Sequence, residues 1–267
     1  MKKRLDILFW CGVGFLFLIA VLALFGPTIR YDPVALGEKF LLPSGEHWLG
    51  TDELGRDVFA RVAYGARMSL LVGFVVQIAA LIIGITLGAT GVFAPKWIRV
   101  PVLRLTDAMF AFPDILLAIL IIGIWGMGLA PVIIALSVTA WPAVARLVRT
   151  QMASLKDREY VIASRALGAG TFYLVIKHIL PHLWGIVLAV AMIDMAGIIL
   201  AESALSFLGI GIQSPTPSWG NMINHARDQL DSHPIMLLWP CLALSLTIFA
   251  LNFVGDGLRS LIDPKNR

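Results

Sequence analysis

Long apolar blocks separated by short polar stretches dominate the chain, and six of them are long enough to cross a bilayer: Ile7 to Gly26, Met68 to Phe93, Leu105 to Gly126, Pro131 to Leu147, Leu183 to Leu205 and Pro234 to Val254. A helix needs roughly 20 apolar residues to traverse a hydrocarbon core about 30 Å thick. The period-2 alternation of a barrel is missing, and backbone groups in lipid must be satisfied internally, so the blocks predict helices. The expected fold is an all-α membrane protein, one domain over residues 1–267 with six transmembrane helices. Three connections are too long for simple turns: 27–67, 148–182 and 206–233. The last is rich in Gly, Pro and Ser and predicts irregular structure with short helices.

Composition agrees with lipid as the solvent. Hydrophobic residues make up 58% and charged residues 14%, against about 45–50% and about 25% in soluble domains. The first block follows Lys2, Lys3 and Arg4, as a secretory signal would. It is long enough to span and ends at Phe25-Gly26-Pro27 without a small-x-small cleavage site, so a retained first span is expected. Of the 21 Lys and Arg residues, one side of the membrane holds only Arg30, Lys39, Arg56, Arg61, Arg67 and Arg227. By the positive-inside rule both termini and segment 148–182 are then cytoplasmic. The net charge of +4 is a topology signal, and without basic clusters interleaved with aromatics it does not point to nucleic acid. Cys11 and Cys241 lie inside apolar runs with no partner at metal-ligand spacing.

The inner segment contains a short amphipathic pattern. Tyr160, Ala163, Ala166 and Leu167 fall on one helical face, Arg165 lies nearly opposite, and Gly168 and Gly170 offer a stop. Such a helix suits a groove on another protein or, alternatively, the lipid surface. In the outer segment, Asp52, Arg56, Asp57 and Arg61 have the spacing for ion pairs along one short helix, with Gly50 and Gly55 relieving the backbone. Asp194 and Glu202 lie in the fifth span, where an ionised carboxylate costs roughly 2.5–3.5 kcal/mol on insertion scales, so a function is the default expectation. They are eight residues apart, about 80° around the helix, and do not make a ready metal pair.

These stretches carry a resemblance. The run from Arg158 through Pro181 resembles the ATPase-docking loop of binding-protein-dependent ABC importers. Ala163, Gly168, Leu180 and Pro181 match in register, Ile162 stands for the usual Glu, and Glu159 is one turn earlier. His47-Trp-Leu-Gly-Thr-Asp-Glu-Leu-Gly-Arg-Asp and on through Arg61 to Leu70, including Gly50, Thr51, Asp52, Gly55, Arg56 and Asp57, resembles the signature of the C-type subunits of peptide and nickel permeases. Arg104 to Asp107 with Phe112-Pro113, Glu202 to Gly209 with Pro217 to Gly220, and Asn252 to Asp256 with Asp263-Pro264 agree with the same family.

The resemblance implies a type I importer permease fold in a bacterial inner membrane, with Glu159, Tyr160, Ala163, Arg165, Leu167, Gly168 and Pro181 in a coupling element. It also implies a second permease subunit, two ATPase subunits and an external solute-binding protein. ATP and Mg would sit on the ATPases. This chain has no Gly-x-x-x-x-Gly-Lys-Ser/Thr loop, and no cofactor is expected on it. Asp194, Met195 and Glu202 are candidates for the path. An Asp at the position of Asp194 and a Val-x-Ala-Ser docking stretch resemble nickel permeases and tilt the expected cargo slightly toward nickel or a metal chelate over a peptide. His225 and His233 are candidate transient metal ligands. A proton-coupled secondary transporter lacks support from matched broken half-helices. An intramembrane enzyme lacks a catalytic constellation.

Overall fold

The computed structural model describes residues 2–29 and 32–262. Arg30, Asp263-Pro264, Lys265 and Arg267 lie outside the described residues. The helices run in order α1 (Lys2–Ile29), α2 (Val58–Phe93), α3 (Lys96–Ala111), α4 (Asp114–Trp125), α5 (Leu129–Leu155), α6 (Glu159–Ala166), α7 (Thr171–Tyr173), a π-helical segment (Leu174–Ile179), α8 (Leu180–Phe207), α9 (Trp219–Arg227) and α10 (Ile235–Ile262). Thr51 and Asp57 form an isolated β-bridge, and no strand occurs among the described residues. Five helices are long and apolar enough to cross a membrane, and a bent pair brings the number to six.

That bent pair is the main departure from the sequence expectation. A straight span over Leu105 to Gly126 is replaced by α3 and α4, which meet at 93°. Phe112 is extended, with φ −97° and ψ 136°, because the ring of Pro113 disfavours the helical conformation in the residue before it and has no N–H to continue the ladder. Four boundaries also shift. α2 begins at Val58 rather than Met68, so its 36 residues reach about 54 Å, well beyond a hydrocarbon core. The polar residues of its first turns hid that start. α5 runs on to Leu155, past Leu147, with Val148 and Met152 fully buried. The helix containing the fifth span begins at Thr171 rather than Leu183, and the last helix reaches Ile262, past Val254.

The π-helical segment has a local cause. Pro181 cannot donate to the carbonyl four residues back, and the Leu180 N–H reaches the Val175 carbonyl, five residues earlier. The ladder slips by one residue just before the proline, a common form of helix defect.

Close approach of the helices depends on small residues, the expected device where lipid removes the hydrophobic drive between helices. A methyl at Gly84 would sit 2.6 Å from Val144 Cβ, and one at Gly88 would sit 2.8 Å from the Ala145 carbonyl oxygen, so α2 and α5 lie side by side in parallel. Three of the buried clusters show the result of this packing. One joins α2, α4, α5 and α8 through Val72, Ile122, Val132 and Leu205. A second gathers Val144, Met152, Val161, Leu174 and Ile179 at the end of the bundle where α6 lies. The third joins α1 and α10 to α2, α8 and α9 through Ile19, Ala66, Ile199, Trp219 and Leu251. Large apolar side chains such as Phe17, Leu24 and Phe249 face outward, as lipid permits.

Candidate translocation cavity and docking surface

The segment from 32 to 57 is tied into a compact knot rather than the short ion-paired helix expected from spacing. Asp52 is its centre: Arg56 Nε donates to its carboxylate at 2.6 Å, and Arg61 Nε lies 3.3 Å away. Asp57 does not serve as the partner of an i+4 arginine; it accepts from the Ala60 N–H to cap α2 and lies 2.8 Å from His47 Nδ1. Arg61, 2% exposed, also donates to the Pro33 carbonyl. Thr51 Oγ1 donates to the Glu38 carbonyl and accepts from the Leu41 N–H. Gly50 and Gly55 have φ of +79° and +78°, and a side chain at either would run into the backbone of Leu41 or Gly37. Both glycines are therefore demanded by the turn.

The three residues expected along the path are separated by the structure. Asp194, half-buried on α8, lines a cavity of about 310 Å³ together with Gln77 of α2, Phe110 of α3, Asp114 and Ile115 of α4, and Leu136 and Thr139 of α5. The break at Phe112-Pro113 brings Phe110 and Asp114 to this wall. Glu202 is fully buried elsewhere, accepting hydrogen bonds from Ser69 at 3.0 Å and Ser206 at 2.8 Å. Ser206 Oγ in turn accepts from the Ile212 N–H, so Glu202 fastens α2, α8 and the loop after it. Met195 packs over Gly73 in the cluster of Ile199 and Leu244.

Gln77 was missed by sequence reasoning, although a single amide inside an apolar span is a readable signal. It is 5% exposed, and among the described residues neither its Oε1 nor its Nε2 finds a hydrogen-bond partner. An unsatisfied buried polar atom costs about 1–3 kcal/mol, and such exceptions call for an explanation.

The candidate metal ligands do not converge. His225 Nε2 is 3.3 Å from Ser214 Oγ and its Nδ1 is 3.8 Å from Glu53. His233 stacks on Phe40 with ring centres 4.0 Å apart. Among the described residues no three of His, Cys, Asp and Glu group as a metal set.

At the other end of the bundle, α6 is held by one face. Val161 is fully buried beside Leu174 and Ile179, whereas Tyr160, Ala163, Arg165, Ala166, Leu167 and Gly168 are exposed. Ser164 Oγ lies 3.3 Å from His178 Nε2, and Tyr160 stacks on His182 with centres 5.2 Å apart. These contacts join α6 to the π-helical segment and the start of α8. Gly168, with φ +89°, ends the helix, and Pro181 sits in the first turn of α8.

A bundle of this architecture, with an exposed short helix strapped to the base of a cavity-lining span, is that of a type I ABC importer permease. A solved inward-facing structure of the MetNI methionine ABC transporter has the same fold, with a TM-score of 0.61 at 20% identity, covering 76% of this chain and 96% of that one. The chain belongs to the binding-protein-dependent transport system inner membrane component family, whose profile matches residues 80–267. It is 40% identical to the dipeptide transport system permease protein DppC of Bacillus subtilis, over 96% of this chain and 81% of that one. It is 41% identical to the di/tripeptide permease DppC of Pseudomonas aeruginosa, over 95% and 87%. The nickel permease NikC of Escherichia coli K12 is 37% identical, over 93% and 92%. The chain is thus a permease subunit in the peptide and nickel branch of ABC importers, a multi-pass protein of the inner membrane.

Proposed function

We propose that this chain forms one half of the membrane path of an importer for short peptides. ATPase subunits dock on α6, a second permease faces the cavity, and a solute-binding protein delivers cargo at the end formed by 32–57 and 208–233. In this proposal both termini and α6 are cytoplasmic, in keeping with the distribution of Lys and Arg. ATP and Mg belong to the ATPases, and this chain binds no cofactor and catalyses nothing alone.

The observation that carries the proposal is the seating of α6. Its apolar outer face is free for a partner's groove, while its inner face is locked to the π-helical segment that leads into α8, the helix carrying Asp194. A displacement of α6 by closing ATPases would be transmitted along α8 to the cavity, the differential contact that a two-state transporter requires. Peptide cargo is favoured by the relatives above and by a wall combining an amide, a carboxylate and apolar side chains. The second reading, nickel or a metal chelate, is favoured by Asp194 and Asp114 standing on the same cavity.

The test is to purify the tagged chain with its genomic neighbours, reconstitute it in vesicles, and measure uptake of a labelled dipeptide and of radioactive nickel with and without ATP. Co-purification of ATPases that is lost with Gly168→Asp, and ATP-dependent dipeptide uptake, are expected. Recovery of the chain alone with ATP-indifferent transport would defeat the importer reading, and uptake of nickel without dipeptide would assign the cargo to the second reading.

A further inference from the structure

The cavity contains a feature that a passive, size-limited path does not need. Gln77 projects from the middle of α2 with both amide atoms unsatisfied among the described residues and only 5% of its surface exposed, and it lines the same cavity as Asp194. Val76 and Ala80 beside it are fully buried, and a small turn of the side chain about its own bonds brings the shielded amide atoms into the cavity that the residue lines. A group of this kind is stable in place when something entering the cavity completes its hydrogen bonds.

Resting on the peptide reading above, we infer that Gln77 and Asp194 form a recognition site for the amino-terminal half of a peptide in transit. The cargo's ammonium pairs with the Asp194 carboxylate. The first peptide unit, which has one acceptor and one donor, answers both halves of the Gln77 amide: its carbonyl accepts from Nε2–H and its N–H donates to Oε1. The side chain packs on Ile115, Ile193 and Ile198, which line the same wall. Asp114, in the first turn of α4, stands there too. Two carboxylates on one wall repel an anion, so the peptide's own carboxylate points away from this chain. The volume of about 310 Å³ lies at the lower end of the range for small-molecule sites, roughly 300–1,000 Å³. Selectivity would then reside in the permease as well as in the delivering protein, through a site that reads the free amine and the backbone and not the side chain's identity.

The experiment uses the whole importer with its binding protein in nanodiscs and a dipeptide carrying a diazirine side chain, photolysed during ATP turnover. Label is expected on α4 or on the Ile193 to Ile198 stretch of α8. Gln77→Leu and Asp194→Asn are each expected to cut that labelling roughly tenfold or more, the scale of one lost charge-assisted or paired hydrogen bond. Asp194→Glu should restore part of it. Should Gln77→Leu fail to assemble, Gln77→Asn, which retains the amide on a shorter stem, is expected to give a smaller loss in the same place. Full labelling in the Gln77 and Asp194 variants, or label confined to other helices, would overturn the site while leaving the peptide reading intact. A wild-type importer that takes up no dipeptide would overturn the reading itself.

Discussion

The guanidinium carbon of Arg146 on α5 lies 3.5 Å from the centre of the Phe110 ring at the end of α3. Phe110 is also part of the cavity wall, so a charge on a long helix holds the aromatic side chain next to the 93° bend. A cation over a ring contributes about 0.5–2 kcal/mol, more when desolvated. Arg146→Met keeps a long stem and removes the charge. The assembled importer carrying it is expected to hydrolyse ATP without cargo about two- to thirtyfold faster, the factor by which that energy would repopulate a released bend. Phosphate release from reconstituted complex checks this, and an unchanged basal rate would reduce the contact to packing.

Glu202 gives a sharper contrast between two substitutions. Its oxygens collect the hydroxyls of Ser69 and Ser206, and hydroxyl hydrogens can rotate to meet an amide. Glu202→Gln is therefore expected to change stability by no more than about 1 kcal/mol. Glu202→Leu strands both hydroxyls in a fully buried site and is expected to cost about 3 kcal/mol or more. Thermal unfolding of the detergent-solubilised complex, followed by tryptophan fluorescence, should separate the two. Equal losses would show that the carboxylate's charge is what matters.

Asp52 serves two arginines at once. Arg56 and Arg61 are 3% and 2% exposed, and both guanidiniums face its carboxylate. Asp52→Asn keeps the shape and removes the anion that both face, which for a buried pair costs about 3–5 kcal/mol. Glu53, 2.9 Å from Arg56, compensates only one of the two. Protease cleavage within 32–57 of the intact membrane protein should rise sharply in this variant. A cleavage rate equal to wild type would show that Glu53 and the Pro33 carbonyl suffice.

Length and apolarity made the long helices readable, because lipid leaves few alternatives for an apolar run of about 20 residues. The errors came where polar residues are buried by partners distant in sequence. Arg61 and Asp57 resemble loop residues, yet they sit at the start of α2 because Asp52 pairs with Arg61 and the His47 ring lies within hydrogen-bond distance of Asp57. Leu105 to Gly126 has the composition of one span, and Pro113 bends it for a reason visible in the sequence but easily outweighed by hydropathy. Asp194 was legible as an acid at bilayer depth. Which of Asp194, Met195 and Glu202 meets the cavity was not legible, since it depends on how α8 is rotated against α2. Gln77 shows the same limit from the other side: its identity was plain, but its lack of partners appears only in three dimensions.

The helix α6 separates contact from charge in a way that mutation can read. Leu167 is 89% exposed and Tyr160 38% exposed, and large apolar side chains held in the open at the end of a bundle are the anchors a partner's groove would bury. Leu167→Asp is expected to weaken ATPase co-purification about tenfold or more, since burying an apolar side chain contributes roughly 1.5–3 kcal/mol. Arg165→Ala removes an exposed charge, and at most about 1 kcal/mol is at stake there. Val161→Asp acts on the opposite face: Val161 is fully buried against Leu174 and Ile179, so this change should release α6 from the π-helical segment. Such a complex is expected to keep its ATPases while losing transport, because docking survives and the link to α8 does not. Measuring co-purification and ATP-driven uptake for all three variants tests the order of these effects. If Arg165→Ala proved more damaging to docking than Leu167→Asp, the partner would be held by charge, and the apolar face of α6 would belong to the lipid surface instead.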